Sequence, residues 1–172
     1  TLQCISEMEH LTYLSLCSNH GITSTGVAHL TKLTKLRTLN LSNCIHVSEW
    51  SMFAIGRLTT LEELYIVDMG FSFDHLESLM PLTQLRRLRL QNQKPSNAFL
   101  ASLARAQQIT LLHMEQCVFD PMSAYQIGSL KSVRNLSLRM SQGFGDAEID
   151  RIVLLRNLET LHIGWSHDIT CA

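Results

Sequence analysis

The stretch Leu36-Arg37-Thr38-Leu39-Asn40-Leu41-Ser42-Asn43-Cys44-Ile45-His46-Val47 decides how this chain folds. It carries the phrase L-x-x-L-x-L, and the alternation from Leu39 to Leu41 is that of a short strand with one face buried and the other open. Working outward, the same phrase begins at Leu11, Leu61, Leu85, Ile109, Val133 and Leu158, so that successive starts lie 24 or 25 residues apart. Its second column reads Leu14, Leu39, Leu64, Leu88, Leu112, Leu136 and Leu161. Its third reads Leu16, Leu41, Ile66, Leu90, Met114, Leu138 and Ile163, and neither column holds a polar residue. A period in this range marks stacked supersecondary units, because one such unit cannot bury its apolar side alone and its neighbours complete the core.

Between strands the apolar period changes. Counting back nine, six and three residues from each start finds Val27, Leu30, Leu33, then Met52, Ile55, Leu58, then Leu76, Leu79, Leu82, then Leu100, Leu103, Ala106. The series continues with Ala124, Ile127, Leu130 and with Ile149, Ile152, Leu155. Steps of three fit one edge of a short α-helix or 3₁₀ turn that faces the strand across the core. Ser24-Thr25-Gly26, Ser48-Glu49, Asp74, Ser96-Asn97 and Asp146 stand just before these series, where helix starts are expected. Pro95 and Pro121 fall between strand and helix, where a missing N–H does least harm.

Seven such phrases in register resemble the leucine-rich-repeat family over essentially the whole chain. The resemblance implies an α/β fold, a curved right-handed horseshoe solenoid with parallel strands on the concave face and short helices or 3₁₀ turns on the convex face. Residues 1–172 read as a single domain of about seven repeats. Within the family, the Cys44 stretch and Leu112-His113-Met114-Glu115-Gln116-Cys117 resemble the cysteine-containing repeats of F-box proteins. The ninth repeat position, usually Asn or Cys in the family, is Asn19, Cys44, Met69, Gln93, Cys117, Ser141 and Ser166 here. That side chain satisfies backbone groups at the bend in the family, so Met69 must leave the work to water or neighbouring backbone. Leu2, Ile5 and Met8 read as the helical half of a unit whose strand is missing, and neither end carries a polar cap. The expectation is a segment of a longer protein with sticky or frayed ends.

Composition narrows the function. With 45% hydrophobic and 17% charged residues the chain is that of a folded domain, and its formal net charge of −1 lacks the positive excess used to displace counterions from nucleic acid. No apolar run reaches the roughly 18 residues of a membrane span, and Thr1-Leu2-Gln3-Cys4 does not read as a signal peptide. Neither a nucleic acid nor a membrane is therefore an expected partner. The five cysteines, Cys4, Cys17, Cys44, Cys117 and Cys171, are odd in number with no C-x-x-C pair, which points to a reducing, cytoplasmic or nuclear setting. Zinc-ligand spacing is missing, and Cys44 and Cys117 read as small buried residues at the bend. Asn40-Leu41-Ser42 and Asn135-Leu136-Ser137 match the glycosylation pattern only formally, since both fall inside expected strands.

Outward-facing strand positions are where the resemblance places binding. The candidate partner-binding residues are Glu63, Tyr65, Arg87, Arg89, Leu111, His113, Glu115, Arg139, His162 and Trp165. The cations of the outward positions are Arg37, Arg86, Arg87, Arg89, Arg134 and Arg139, whereas Lys32, Lys35, Lys94 and Lys131 all lie elsewhere. Arginine is enriched and lysine depleted at protein interfaces, because the planar guanidinium is weakly hydrated and makes forked contacts. Tyr65, Leu111 and Trp165 add apolar anchors. Against this, Glu63 beside Arg87 and Glu62 beside Arg86 are also what ordinary cross-strand ion pairs look like, and His113 with Glu115 reads as another ordinary pair.

Catalysis finds no support. His113 and His162 lie two rungs apart, about 9 to 10 Å on strand spacing, too far to share a metal or a proton. No nucleophile elbow, phosphate loop or metalloprotease motif is present, and Gly143-Phe144-Gly145 reads as a turn. No catalytic residue, metal, cofactor or small-molecule ligand is expected. A GTPase-activating solenoid is an enzyme-related reading that no motif here matches. The sequence points to a non-catalytic module that binds a protein along the strand face from about Tyr65 to Trp165. The alternatives are a substrate-receptor segment of an F-box-type ubiquitin ligase and a structural spacer. Met69, Phe71 and Phe73 form an apolar stretch that is either core or a second contact site.

Overall fold

One strand per repeat stacks in chain order into a parallel sheet. The strands are β1 (Tyr13–Ser15), β2 (Thr38–Asn40), β3 (Glu63–Ile66), β4 (Arg87–Gln91), β5 (Leu111–Glu115), β6 (Asn135–Ser137) and β7 (Thr160–His162). The computed structural model describes residues 1–69 and 75–164. Phe71, Phe73, Asp74, Trp165, Ser166 and Cys171 lie outside them. Pairing follows the leucine columns: Leu14 sits opposite Leu39, and the column runs on through Leu64, Leu88, Leu112, Leu136 and Leu161. The fold is thus a leucine-rich-repeat solenoid.

Opposite the sheet lie α1 (Leu2–Ile5), α2 (Ser24–His29), α3 (Ser51–Ile55), α4 (Asn97–Ala106), α5 (Pro121–Ile127) and α6 (Asp146–Ile152), with 3₁₀ turns at Leu30–Lys32 and Leu76–Leu79. From the second start on, the residues nine, six and three before a start supply the core between the layers, whereas Met8, three before the first start, is exposed. Val27, Leu30, Leu33, Met52, Ile55 and Leu58 are all buried, as are Leu76, Leu79, Leu82, Leu100, Leu103, Ala124, Ile127, Leu130, Ile152 and Leu155, with Ile149 half-buried. Each fully buried leucine contributes about 1.5 to 3 kcal/mol against the ordering entropy. Met69 also belongs to the core.

Helix starts follow the sequence in part. Ser96 caps α4, its Oγ accepting from the Phe99 N–H at 3.1 Å. Asp120, ahead of Pro121, caps α5: its Oδ1 accepts from the Ser123 N–H at 2.9 Å while Ser123 Oγ accepts from the Asp120 N–H at 3.2 Å. Asp146 is the first residue of α6, not its cap, and Glu148 takes the Gly145 N–H at 3.0 Å. Ser24 is the first residue of α2, and its Oγ accepts from the Ser48 N–H one repeat on at 2.7 Å.

The bend after each of the first six strands has one conformation. The eighth repeat position is left-handed in six repeats, at Ser18, Asn43, Asp68, Asn92, Gln116 and Met140, with φ between 53° and 59°. The ninth position then turns inward at Cys44, Met69, Gln93, Cys117 and Ser141, whereas Asn19 in the first repeat stays exposed. Cys44 Sγ donates to the Leu16 carbonyl of the preceding repeat at 3.0 Å. Ser141 Oγ donates to the Met114 carbonyl at 3.0 Å and accepts from the Cys117 N–H at 3.1 Å. Gln93 Nε2 donates to the Gln91 carbonyl at 2.6 Å. Cys, Ser and Gln side chains thus do equivalent work on bend backbone. Cys44 and Cys117 are buried as expected, and burial pushes the Cys117 thiol up to about 12.

Two glycines answer close approaches. A Cβ on Gly56 would stand 1.9 Å from the Ser78 carbonyl oxygen of the next repeat. Gly143 has φ +82°, and a Cβ there would stand 2.1 Å from the Phe119 oxygen. The Gly143 turn also brings Phe144 edge-on to Phe119, ring centroids 4.9 Å apart.

Candidate functional site

Each outward column of the sheet is fixed by backbone pairing. One column runs Tyr13, Thr38, Glu63, Arg87, Leu111, Asn135, Thr160, and the next runs Ser15, Asn40, Tyr65, Arg89, His113, Ser137, His162. β4 and β5 extend one pair further, setting Gln91 beside Glu115. Glu63, Tyr65, Arg87, Arg89, Leu111, His113 and Glu115 therefore share one face of three adjacent strands. His162 stands two rungs beyond His113 on β7, and Arg139 lies in the turn after β6. Trp165, the remaining candidate, lies outside the described residues.

Glu63 organises the near side of this patch. It accepts from the Tyr65 hydroxyl at 2.8 Å and pairs with Arg87 Nη1 at 3.2 Å. Burial first, and the Glu63 carboxylate second, raise the Tyr65 phenol above its ordinary value. Arg89 lies over the Tyr65 ring, its Cζ 5.5 Å from the centroid, a cation–π contact across one rung. Glu62 bridges Arg37 at 2.7 Å and Arg86 at 3.9 Å, and Arg134 pairs with Glu159. The expected cross-strand pairs of Glu63 with Arg87 and Glu62 with Arg86 are thus both formed. Arg89 and Arg139 have no ion-pair partner among the described residues.

The expected His113–Glu115 ion pair is not formed. Glu115 Oε1 instead accepts from the buried Ser137 hydroxyl on β6 at 2.7 Å. Ser137 is the register partner of His113, so the Glu115 side chain reaches its hydroxyl diagonally across the rung. Burial lowers the pKa of His113, the Arg89 charge adds to this, and Glu115 acts against it. His113 is therefore a neutral imidazole at pH 7, donor on one nitrogen and acceptor on the other.

Three features escaped the sequence reading. The Tyr65–Arg89 stack needs side-chain direction as well as register. Gln91 Nε2 donates to Gln116 Oε1 at 2.7 Å, a bond from the strand to the following bend of the next repeat. The left-handed turn at the eighth position is the third. Asn43, Asp68 and Asn92, types that tolerate this conformation, were the available signal. Asn40, in the first formal glycosylation match, is half-buried in β2 and accepts from the Ser42 N–H at 2.9 Å. Among the described residues no three His, Cys, Asp or Glu side chains are grouped to hold a metal. No described helix is long and apolar enough to cross a membrane.

No family model matches the chain, and no curated protein matches it by sequence. Solved structures do match in fold. Internalin C2 of Listeria monocytogenes superposes with a TM-score of 0.67 at 18% identity, covering 98% of this chain and 76% of its own. A leucine-rich-repeat protein of Leptospira interrogans gives a TM-score of 0.70 at 22% identity, over 94% of this chain and 39% of its own. The leucine-rich-repeat ectodomain of the plant membrane receptor kinase GASSHO1/SCHENGEN3 from Arabidopsis thaliana, solved in complex with Casparian strip integrity factor 2, gives 0.60 at 18% identity. That match covers 95% of this chain and 22% of the ectodomain.

Proposed function

We propose that this leucine-rich-repeat solenoid is a non-catalytic recognition module that binds a protein partner on its strand face, from about Tyr65 toward the β7 end. The observation that carries the reading is the Tyr65–Arg89–His113 column. An aromatic ring, a guanidinium and a neutral imidazole stand on three consecutive rungs, with Leu111 beside them. Such groups combine apolar area with directional hydrogen bonds. Of the six arginines at the outward positions, Arg89 and Arg139 have no acid of their own among the described residues and can meet carboxylates of a partner. The bound factor on the plant receptor ectodomain is consistent with this use of the fold. A reducing intracellular setting accompanies the proposal, in keeping with buried thiols at Cys44 and Cys117 that serve the fold.

The alternative of a ubiquitin-ligase substrate receptor rests on the Cys44 and Cys117 repeats, and an F-box in the parent sequence would favour it. Affinity capture from native lysate, with the parent protein and an Arg89→Glu/Arg139→Glu variant whose fold is checked by circular dichroism, tests the strand-face reading. The expected outcome is a partner held by wild type and lost by the folded variant. The same partners on both would place the contact elsewhere or make the solenoid a spacer.

A further inference from the structure

The helix side holds a second feature that the strand-face reading does not use. Two adjoining cavities, of about 510 and 760 Å³, run along the C-terminal ends of α4, α5 and α6 and share Ser129 and Lys131 in their walls. Arg105, Lys131, Arg151 and Arg156 line them, and no acidic residue does. None of these four cations has an ion-pair partner among the described residues. Arg105 and Arg151 lie in the last turns of α4 and α6, where a cation also offsets the carbonyl ends of a helix. Lys131 and Arg156 have no such use. They stand outside any helix, each two residues before a repeat start, and so occupy equivalent places in consecutive repeats.

Between these charges the smaller cavity carries two exposed apolar side chains. Tyr125 and Leu154 line the smaller cavity and are 56% and 54% exposed, poor choices for a surface that meets only water. In a chain of net charge −1 this groove concentrates positive potential against an apolar floor. We propose that it is a second docking site, for an acidic peptide segment of another protein that carries a bulky apolar side chain. The side chain packs between Tyr125 and Leu154, and flanking carboxylates meet Lys131, Arg151 and Arg156. A bare phosphate would leave the apolar floor uncovered, and a single-stranded nucleic acid would require the charge to continue along a longer stripe.

The test is titration of the isotope-labelled protein with the peptide Glu-Glu-Leu-Phe-Glu-Glu, followed by amide chemical shifts. The expected result is saturable change at residues 125–131 and 151–157, with affinity reduced about tenfold in a Lys131→Glu/Arg156→Glu variant. Tyr125→Ala, which keeps every charge, weakens binding as well, whereas Arg89→Glu/Arg139→Glu leaves it unchanged. That last variant separates this site from the strand face. The proposal is overturned if no saturable change occurs or the shifts map to the strand face. It is equally overturned if Lys-Lys-Leu-Phe-Lys-Lys, inorganic pyrophosphate or a single-stranded oligonucleotide produces the same shifts at the same residues.

Discussion

From Leu36 to Cys44 and from Ile109 to Cys117 the backbone repeats itself closely: strand, left-handed eighth residue, inward ninth residue. The segments that follow share little but their buried spacing. The repeat that begins at Leu61 crosses back on the 3₁₀ turn Leu76–Leu79, the one that begins at Leu85 on α4, ten residues long, though both repeats have 24 residues. The difference is one of bonding. Each strand must meet the next with its N–H and C=O groups in register, so the backbone of that half has little choice. The helical half is held mainly by apolar packing, which tolerates different backbones if the same volume is filled. It also absorbs the alternation between 24 and 25 residues.

The largest expected effect comes from the strand half. Leu64→Ala empties a fully buried place in the middle of the column and should cost about 2 to 5 kcal/mol in chemical denaturation. Ile149→Ala, its half-buried counterpart in the helical layer, should cost clearly less. Equal losses would break the contrast. Next is Gly56→Ala, the point where two helical segments touch through backbone. Pushing a Cβ against the Ser78 carbonyl should cost about 1 to 3 kcal/mol, seen as a lower denaturation midpoint. Tolerance there would show the helical layer to be looser than drawn.

Asp120→Ala removes the α5 cap and should cost about 1 kcal/mol. Burial tends to raise the pKa of Asp120, but hydrogen bonds from Ser123, Asn97 and the Met122 backbone together outweigh it, and the net shift is downward. A carboxylate depressed in the folded state stabilises above its unfolded pKa. Its contribution should therefore be complete above about pH 4 and fade as the pH falls below it. The variant should lose this part of the acid dependence. The smallest effect is a gain. Met140→Gly relieves a left-handed methionine and should add up to about 1 kcal/mol, offset in part by the unfolded-state entropy of glycine. No gain would mean that the Met140 side chain, in reach of Gln116 at 3.8 Å, repays its conformation.

Legibility in the sequence followed the same division. The columns from Leu14 to Leu161 and the burial of Cys44 and Cys117 could be read because apolar period and residue size carry them. Helix starts were legible where one side chain does the capping, as at Ser96. They were not where the cap is a backbone group, as at Gly145, or where the polar side chain serves a neighbouring repeat, as Ser24 does. In the candidate site, cross-strand partners such as Glu63 and Arg87 followed from the 24-residue offset. The neutral state of His113 and the capture of Glu115 by Ser137 did not, since both depend on distances between rungs and on burial from several sides.

The sequence alone determined the repeat, the strand register and the identity of the outward columns, because a parallel stack of like units leaves no other way to bury the leucines. Only the tertiary structure decided which cations are already paired, that the Arg89 guanidinium rests on Tyr65, and that Lys131 and Arg156 share a groove with Tyr125 and Leu154. Those are matters of side-chain direction and of contact between residues that are remote in the chain, and a periodic pattern does not encode them.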